Sequence, residues 1–390
     1  MKQLERQYES LGAAVGLLEG RELLEEEALC LNIRGRIGHC ERCATACHSD
    51  ALSLTLDALE VDREKCTGCG ACVTACPAGA LRLSGFSPAR FLEALAGKIE
   101  VHLHCTESAD SGGGVVIPCF KVLDDRLLAA AQADGVETVV LHGLDRCAGC
   151  HHGGALHEVE SMRLGLEKEL GESADRLLLA TRVAKTKEYR QVRQREDQPH
   201  LNRRAFLRFA GAHSAGGVVR WLVPVEEDDG VPDLPFFQGD PETTRRPHPY
   251  QSLLADRVGR VPWRDGTALP WRARSLAEYC TGCMVCGQRC PTGALLAKEE
   301  DQTRSISFEQ ALCTDCGLCE ALCPVDAVLT HRVSGHEAVE ARRSVLMMRR
   351  LVVCDRCGTT FQPETADTTT CPTCANEQEM DDEWLAMLEG

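Results

Sequence analysis

The segment from Cys280 to Pro324 constrains the chain most. It reads CTGCMVCGQRCPTGAL, a short spacer, and then CTDCGLCEALCPVDAV. Cys280, Cys283, Cys286 and Cys290 follow a C-x2-C-x2-C-x3-C spacing closed by Pro291. Cys313, Cys316, Cys319 and Cys323 repeat it, closed by Pro324. Three thiolates on one tight loop can wrap one face of a cubane cluster, and the fourth points away to ligate the neighbouring cluster. The spacing therefore predicts two [4Fe-4S] clusters. One is held by Cys280, Cys283, Cys286 and Cys323, the other by Cys313, Cys316, Cys319 and Cys290. Two zinc sites, or cysteines packed as small apolar residues, are the competing readings. Zinc sites, however, use paired C-x2-C knuckles rather than a triplet plus one.

This is the bacterial ferredoxin run, and residues 30–85 hold a second, uneven copy. Its latter half is regular: Cys66, Cys69, Cys72 and Cys76, then Pro77 and the small residues Ala78, Gly79 and Ala80. In the first half Cys40, Cys43 and Cys47 match the second, third and fourth ligands. Ile37 stands where the first cysteine belongs, and His48 replaces the proline. Cys66, Cys69, Cys72 and Cys47 are expected to bind one cluster. Cys40, Cys43 and Cys76 need a fourth ligand, for which Cys30 is the choice. His39, a water or a three-iron cluster are the alternatives, and a lone upstream cysteine also packs readily as a small buried residue.

Twenty-four cysteines in 390 residues would suggest disulfides in a small secreted protein. Here the first twenty residues are charged and helical in pattern rather than a cleavable apolar segment, and nearly every cysteine sits in a metal-ligand spacing. The expectation is a reducing compartment, the cytoplasm, where thiolates stay available to iron and zinc. No run reaches the ~18 apolar residues of a membrane span. A net charge of −16 and 4% aromatics argue against nucleic acid and for an acidic carrier.

Read in order, the chain divides as follows. Residues 1–29 give a helical segment with an apolar stripe at Leu4, Leu11, Val15, Leu18 and Leu24. Residues 30–85 are the degenerate dicluster unit. Residues 86–200 alternate strands and helices, the pattern of a small parallel α/β domain. Its strands at 99–105, 112–119 and 136–147 lead into Cys105, Cys119, and the Cys147–Cys150 pair, with His151 and His152 following. Carboxyl ends of parallel strands are where such sheets build sites. Residues 201–272 are a basic helix and a Pro-rich linker lying over the surface. The basic stretch (Arg182, Lys185, Lys187, Arg190, Arg193, Arg195, Arg203, Arg204, Arg208) contains NRRAFLRFAGA (202–212), which looks like a twin-arginine export signal but lies mid-chain. It reads as a basic amphipathic helix. The second dicluster unit spans 273–332. Residues 350–390 carry Cys354, Cys357, Cys371 and Cys374, two C-x2-C pairs that read as a structural zinc ribbon, with rubredoxin-type iron as the alternative. A short acidic docking helix ends the chain.

Within this layout, IPCFKVLDDRLLAAAQADGVETVVLHGLDRCAGCHHGGA and the following RLGLEKELGESADRLLLA resemble the delta subunit of methyl-viologen-reducing hydrogenases. That subunit is shared with heterodisulfide reductase systems. The resemblance covers residues 98–195 and implies a [2Fe-2S] cluster on Cys105, Cys119, Cys147 and Cys150. A zinc site, or a redox-active pair at Cys147 and Cys150, are the alternatives.

The fold class expected is thus α+β and multidomain: two ferredoxin-like dicluster units, a parallel α/β domain between them and a C-terminal zinc ribbon. Three to four [4Fe-4S] clusters, one [2Fe-2S] cluster and Zn²⁺ are the expected cofactors. No Gly-rich phosphate loop and no nucleophile–base arrangement is evident, so the chain reads as a polyferredoxin, an electron-transfer subunit rather than a catalyst. The partner expected is a dehydrogenase or hydrogenase, a heterodisulfide-reductase-like protein or a formate dehydrogenase. A maturation factor for an iron–sulfur or molybdenum enzyme and a redox sensor are the alternatives from other classes.

Overall fold

The structure is a computed structural model that describes residues 22–36, 40–108, 114–170, 179–181, 244–264, 268–334, 342–363, 365 and 367–389. The stripe at Leu4, Leu11, Val15 and Leu18, the candidate ligand His39, and the basic stretch with its paired arginines lie outside these residues.

The chain enters on strand β1 (Leu23–Glu25). The helical reading of 1–29 is therefore corrected at its end. Leu24 lies on a strand because Leu23, Leu24 and Glu25 pair antiparallel with Leu83, Arg82 and Leu81, which bury Leu23, Leu81 and Leu83 together. Helix α1 (Leu31–Gly35) follows, with Cys30 at its N-cap, and then α2 (Arg42–Thr45). Strands β2 (Leu52–Leu54) and β3 (Leu59–Val61) form a hairpin. Helix α3 (Ala71–Ala75) and β4 (Leu81–Leu83), the partner of β1, close the first unit.

Helix α4 (Pro88–Leu95) starts at Ser87, whose hydroxyl accepts from the Arg90 N–H, as an N-cap should. Next come β5 (Glu100–Cys105), β6 (Val115–Ile117), α5 (Asp125–Ala133), β7 (Thr138–His142), α6 (Leu156–Leu170) and β8 (Leu179–Thr181). Asp124 caps α5 by accepting from the Leu127 N–H at 2.9 Å. The four strands pair in the order β6-β5-β7-β8, all parallel, which places every carboxyl end on one edge. Val101, Leu103, Ile117, Val139 and Leu141 of this sheet are buried, while Glu100, His102 and His104 make the alternate positions of β5 polar and His142 ends β7.

Residues 244–264 differ from the surface linker expected there. Pro249–Ala255 is a helix, α7, with Tyr250, Gln251 and Leu254 each 1% exposed. The segment binds three parts of the protein at once. His248 Nε2 donates to the Cys76 carbonyl at 3.0 Å and Tyr250 Oη to the Val122 carbonyl at 2.7 Å. The Arg246 N–H donates to Pro291 O at 2.9 Å, and Gln251 Nε2 donates to Ala311 O at 3.1 Å. Arg257 pairs with Asp134 at 2.6 Å.

The second unit begins earlier than expected, with β9 (Ala268–Leu276). Helix α8 (Val285–Arg289), strands β10 (Leu295–Glu300) and β11 (Thr303–Phe308), helix α9 (Leu318–Ala321) and β12 (Val328–Ser334) follow. Strand β12 pairs antiparallel with β9. A further strand, β13 (Ser344–Arg350), lies beyond the expected boundary at 332 and joins β10 and β11 in one sheet. The chain ends with a small pair of strands, β14 (Val352–Val353) and β15 (Thr360–Phe361), and the 18-residue helix α10 (Pro372–Glu389). Among the described residues no helix is long and apolar enough to cross a membrane.

Candidate metal centres

The four halves of the two dicluster units share a backbone device as well as a spacing. Three residues after the fourth cysteine of each half, the chain takes a left-handed turn: Asp50 at φ 49°, Gly79 at 67°, Gly293 at 74° and Asp326 at 51°. An alanine comes next each time, Ala51, Ala80, Ala294 or Ala327. In three halves the turn aims that alanine's N–H at the thiol. Ala51 N–H donates to Cys47 Sγ at 3.3 Å, Ala80 N–H to Cys76 Sγ at 3.4 Å and Ala327 N–H to Cys323 Sγ at 3.1 Å. In the remaining half the Ala294 N–H donates to Thr292 Oγ1, which sits 3.7 Å from Cys290 Sγ. Hydrogen bonds to sulfur stabilise negative charge there and raise cluster potentials.

The loops that carry the first three cysteines use a second left-handed position, held by Gly70, Met284 and Gly317 at φ 78°, 69° and 82°. In the degenerate half Glu41 stands there at φ −117°. That half has thus lost the left-handed turn as well as the first cysteine.

The described residues hold two small cysteine-lined cradles. Cys47, Cys66, Cys69 and Cys72 line one. Cys290, Cys313, Cys316 and Cys319 line the other. Both sets are those expected from exchange of the fourth ligand. Burial, followed by the neighbouring cysteines, pushes the Cys72 thiol well up, with Cys69, Cys43, Cys66 and Cys47 all contributing. Burial pushes Cys313 up to about 12. Four thiolates held together repel one another, so such a set is stable in its ionised form only around a cationic centre. The donor chemistry and the cradles fit an iron–sulfur group.

The degenerate site gathers Cys30, Cys40, Cys43 and Cys76. Burial and then Cys76, Cys30 and Cys40 push Cys43 up to about 12. Cys76 is raised by burial and in turn by Cys30 and Cys40. The start of α1 brings Cys30 in, 7% exposed. Asn32 fastens the loop by donating from Nδ2 to Cys40 O at 2.9 Å and accepting the Cys40 N–H at 2.9 Å. In the second unit, burial followed by Cys319, Cys283 and Cys280 pushes Cys286 up to about 12, so Cys286 lies near both its own half and Cys319 of the other. Cys283 is exposed.

In the α/β domain Cys105 ends β5, Cys119 follows β6, and Cys147 and Cys150 follow β7, so all four lie on the carboxyl edge of the sheet. Cys105 is raised by burial and by Cys147 and Cys150. Cys119 is pushed up to about 12 by burial, with Cys69 and Cys105 adding to it. Sequence reasoning missed Glu107, whose carboxylate comes within 4.8 Å of the ring nitrogens of His151 and His152. It also missed Arg274, a 3%-exposed cation lining the cavity beside Cys313 and Cys319. Neither carries a local signal, since both reach their sites through strand pairing or a loop.

At the C-terminus the ligand atoms of Cys354, Cys357, Cys371 and Cys374 all lie within 4.8 Å of one another. Cys357 Sγ and Cys371 Sγ are 3.7 Å apart. A tetrahedron with metal–sulfur bonds of ~2.3 Å has edges of about 3.8 Å. The Cys371 N–H donates to Cys354 Sγ at 3.2 Å. The N–H groups of Cys357 and Cys371 hold Cys354 down to about 6, which keeps it ready to bind a cation.

Comparison with known proteins finds iron–sulfur families in two stretches of the chain. Residues 59–82 match the 4Fe-4S binding domain family, and residues 279–327 match the 4Fe-4S dicluster domain family. Over 49 residues, 13% of this chain, it is 47% identical to one subunit of the ion-translocating oxidoreductase complex of Methanosarcina acetivorans, covering 18% of that protein. Over 47 residues, 12% of this chain, it is 43% identical to AegA of Escherichia coli, named as an oxidoreductase, covering 7% of it. The chain therefore spans less than a fifth of the length of either relative. It carries two ferredoxin-type 4Fe-4S regions and is similar through them to proteins of oxidoreductase systems.

Proposed function

We propose that this chain is an iron–sulfur electron-transfer subunit, a polyferredoxin that relays electrons between a partner oxidoreductase and an acceptor. The observation that carries this reading is the pair of cradles lined by Cys47, Cys66, Cys69 and Cys72 and by Cys290, Cys313, Cys316 and Cys319. Clusters held there supply one-electron redox steps without forming a bond to substrate. The chain's own residues do the rest. Four thiolates complete each site and leave no open coordination position. N–H groups at Cys47, Cys76 and Cys323 set the charge balance at sulfur. Cys30 completes the site of Cys40, Cys43 and Cys76. Cys105, Cys119, Cys147 and Cys150 hold a [2Fe-2S] cluster, and Cys354, Cys357, Cys371 and Cys374 hold a structural Zn²⁺, whose closed four-thiolate shell suits folding rather than catalysis. A reducing compartment such as the cytoplasm keeps these thiols available.

The partner is an oxidoreductase of the hydrogenase, heterodisulfide-reductase-like or formate dehydrogenase kind. The hydrogenase-type resemblance of the α/β domain and the similarity to a component of an ion-translocating oxidoreductase complex support it. The net charge of −16 disfavours nucleic acid and suits docking on a basic surface.

Anaerobic purification with iron, sulfide and zinc analysis tests the reading. Four four-iron sites and one two-iron site predict ~18 iron atoms and about one zinc per chain. Fewer than about 8 irons after reconstitution removes the relay. Full loading followed by transfer of clusters to an apo-acceptor supports an assembly role instead.

A further inference from the structure

We infer that the five cysteine sites form a single unbranched line. In order they are Cys105/Cys119/Cys147/Cys150, Cys47/Cys66/Cys69/Cys72, Cys30/Cys40/Cys43/Cys76, Cys290/Cys313/Cys316/Cys319 and Cys280/Cys283/Cys286/Cys323. This rests on the relay reading above and adds to it which site hands an electron to which.

Each junction has its own contacts. Between the first two sites, the turn that follows Cys119 packs on α3, the helix carrying Cys72. Thr74 Oγ1 donates to Lys121 O at 3.1 Å, and a methyl group on Gly70 would lie 2.4 Å from Val122 Cγ1. On the other flank His48, next to Cys47, donates from Nε2 to the carbonyl of His151, next to Cys150, at 2.9 Å. The second and third sites share one ferredoxin-type unit and exchange Cys47 and Cys76.

The third and fourth sites meet across the two units. Thr314, inside the Cys313–Cys316 loop, donates to the carbonyl of Pro77, next to Cys76, at 2.7 Å. Arg34, on the helix begun by Cys30, donates from Nε to the carbonyl of Arg289, next to Cys290, at 2.9 Å. The fourth and fifth sites share the second unit. Beyond the fifth, Gly282 lies against Gln362 of the terminal ribbon. These contacts run from the α/β domain through the two units to the ribbon, and helix α6 of the α/β domain also touches β9 of the second unit. Cys150 of the first site is part-exposed and Cys283 of the fifth is exposed, and part-exposed cysteines also occur at each of the three sites between them.

Each transfer is a one-electron step in which a reduced site is oxidised as its neighbour is reduced. Tunnelling falls steeply with distance, so each site exchanges electrons and spin coupling chiefly with its neighbours.

The test is electron paramagnetic resonance on the full-length, iron-loaded protein reduced with dithionite. Cys316→Ser removes the fourth site. The expected spectrum shows the fifth site as an isolated, unsplit signal while the second and third stay coupled. Retained splitting of the fifth site overturns the line. In the wild type, stepwise reduction gives a second measurement that needs no variant. The two-iron signal of the first site should begin to relax fast when the second site becomes paramagnetic, and not when the fourth or fifth does. Fast relaxation tracking the fourth or fifth site overturns the order. Low iron removes the relay reading and the line together, whereas full iron with the wrong coupling pattern removes the line alone.

A second inference comes from strand register. Leu83 and Thr330 stand at the same distance beyond Cys76 and Cys323, and they face Leu23 and Arg274 across their sheets. Leu23 lines the cradle of Cys47, Cys66, Cys69 and Cys72, and Arg274 lines that of Cys290, Cys313, Cys316 and Cys319. We propose that Arg274 is a positioning and tuning residue that makes its site the easier of the two to reduce. Its side chain is 1% exposed, whereas its partners Asp315 (2.5 Å) and Glu320 (3.1 Å) are 31% and 44% exposed, as is Asp315's second partner Arg272 at 46%. Solvent screens those three charges more than it screens the buried guanidinium, which keeps the positive charge at the thiolates.

The check is a potentiometric titration followed by electron paramagnetic resonance. Arg274→Met should lower the equilibrium constant for reduction of that site about tenfold, a 59 mV fall in midpoint for one electron. Arg274→Lys should recover most of the fall. An unmoved midpoint in Arg274→Met overturns the proposal. If that variant fails to load, Arg274→Gln is titrated instead, and an unmoved midpoint there overturns the proposal.

Discussion

Gly70 offers a quantitative probe of the junction between the α/β domain and the first dicluster unit. Its φ of +78° is left-handed, and an added Cβ would meet Val122 Cγ1 at 2.4 Å and Leu83 Cδ1 at 2.9 Å. Val122 is 0% exposed and Leu83 5%, so neither has room to retreat. Gly317 holds the equivalent loop position in another half at φ +82°, with nothing within 4 Å. Substitution by alanine costs both positions the strain of a left-handed conformation, ~1–2 kcal/mol. Met284 accepts the same conformation at φ 69°, so strain alone is tolerated. Gly70→Ala adds overpacking of ~1–3 kcal/mol, and the difference between the two variants isolates the contact. Amide hydrogen exchange on the loaded protein reads local opening without needing reversible unfolding. The expected extra loss of protection is ~5- to 150-fold at 1.4 kcal/mol per decade. It should spread over residues 119–133 as well as 66–76. Equal protection in the two variants, or a loss confined to 66–76, would refute the packed junction.

Three further outcomes follow from the same structure. Cys30→Ala should cost one iron at the site it shares with Cys40, Cys43 and Cys76, converting a four-iron signal to a three-iron one. An unchanged spectrum and iron count would make Cys30 a packing residue. Tyr250→Phe leaves the Val122 carbonyl without its 2.7 Å donor and should cost ~1–3 kcal/mol, read as faster exchange of residues 119–133; no change would return 244–264 to the status of a linker. Treatment with a zinc chelator should unfold residues 352–375 while the iron–sulfur absorbance persists, and loss of that absorbance at the same chelator concentration would contradict a separate ribbon.

The sequence was most informative where ligands are neighbours in the chain. A C-x2-C-x2-C-x3-C run specifies its own loop, and residues 59–82 and 279–327 match 4Fe-4S families. It was least informative where a residue gets its role from a distant partner. Leu24 reads as part of a helical stripe, yet it lies on a three-residue strand whose conformation comes from pairing with Arg82. The composition of 244–264, rich in arginine and proline, resembles a linker. Its order comes from acceptors in three separate parts of the chain, the carbonyls of Cys76, Val122 and Ala311. Cys30 has no spacing to announce it, because the start of α1 and the Asn32–Cys40 hydrogen bonds set its position.

The same distinction separates what the motifs determine from what tunes them. Spacing decides that a loop can hold iron and sulfur, and it is nearly identical in three of the four halves. The differences between the halves lie outside it. Ala51, Ala80 and Ala327 direct their N–H groups at sulfur, whereas Ala294 bonds Thr292 instead. Leu23 lines one cradle where Arg274 lines the other. Each of these changes the charge felt at the thiolates without changing the number of ligands. A duplicated unit that kept its ligands and altered its lining would produce sites of unequal potential along one chain. Such a set can bias the direction of electron flow, which identical copies could not do.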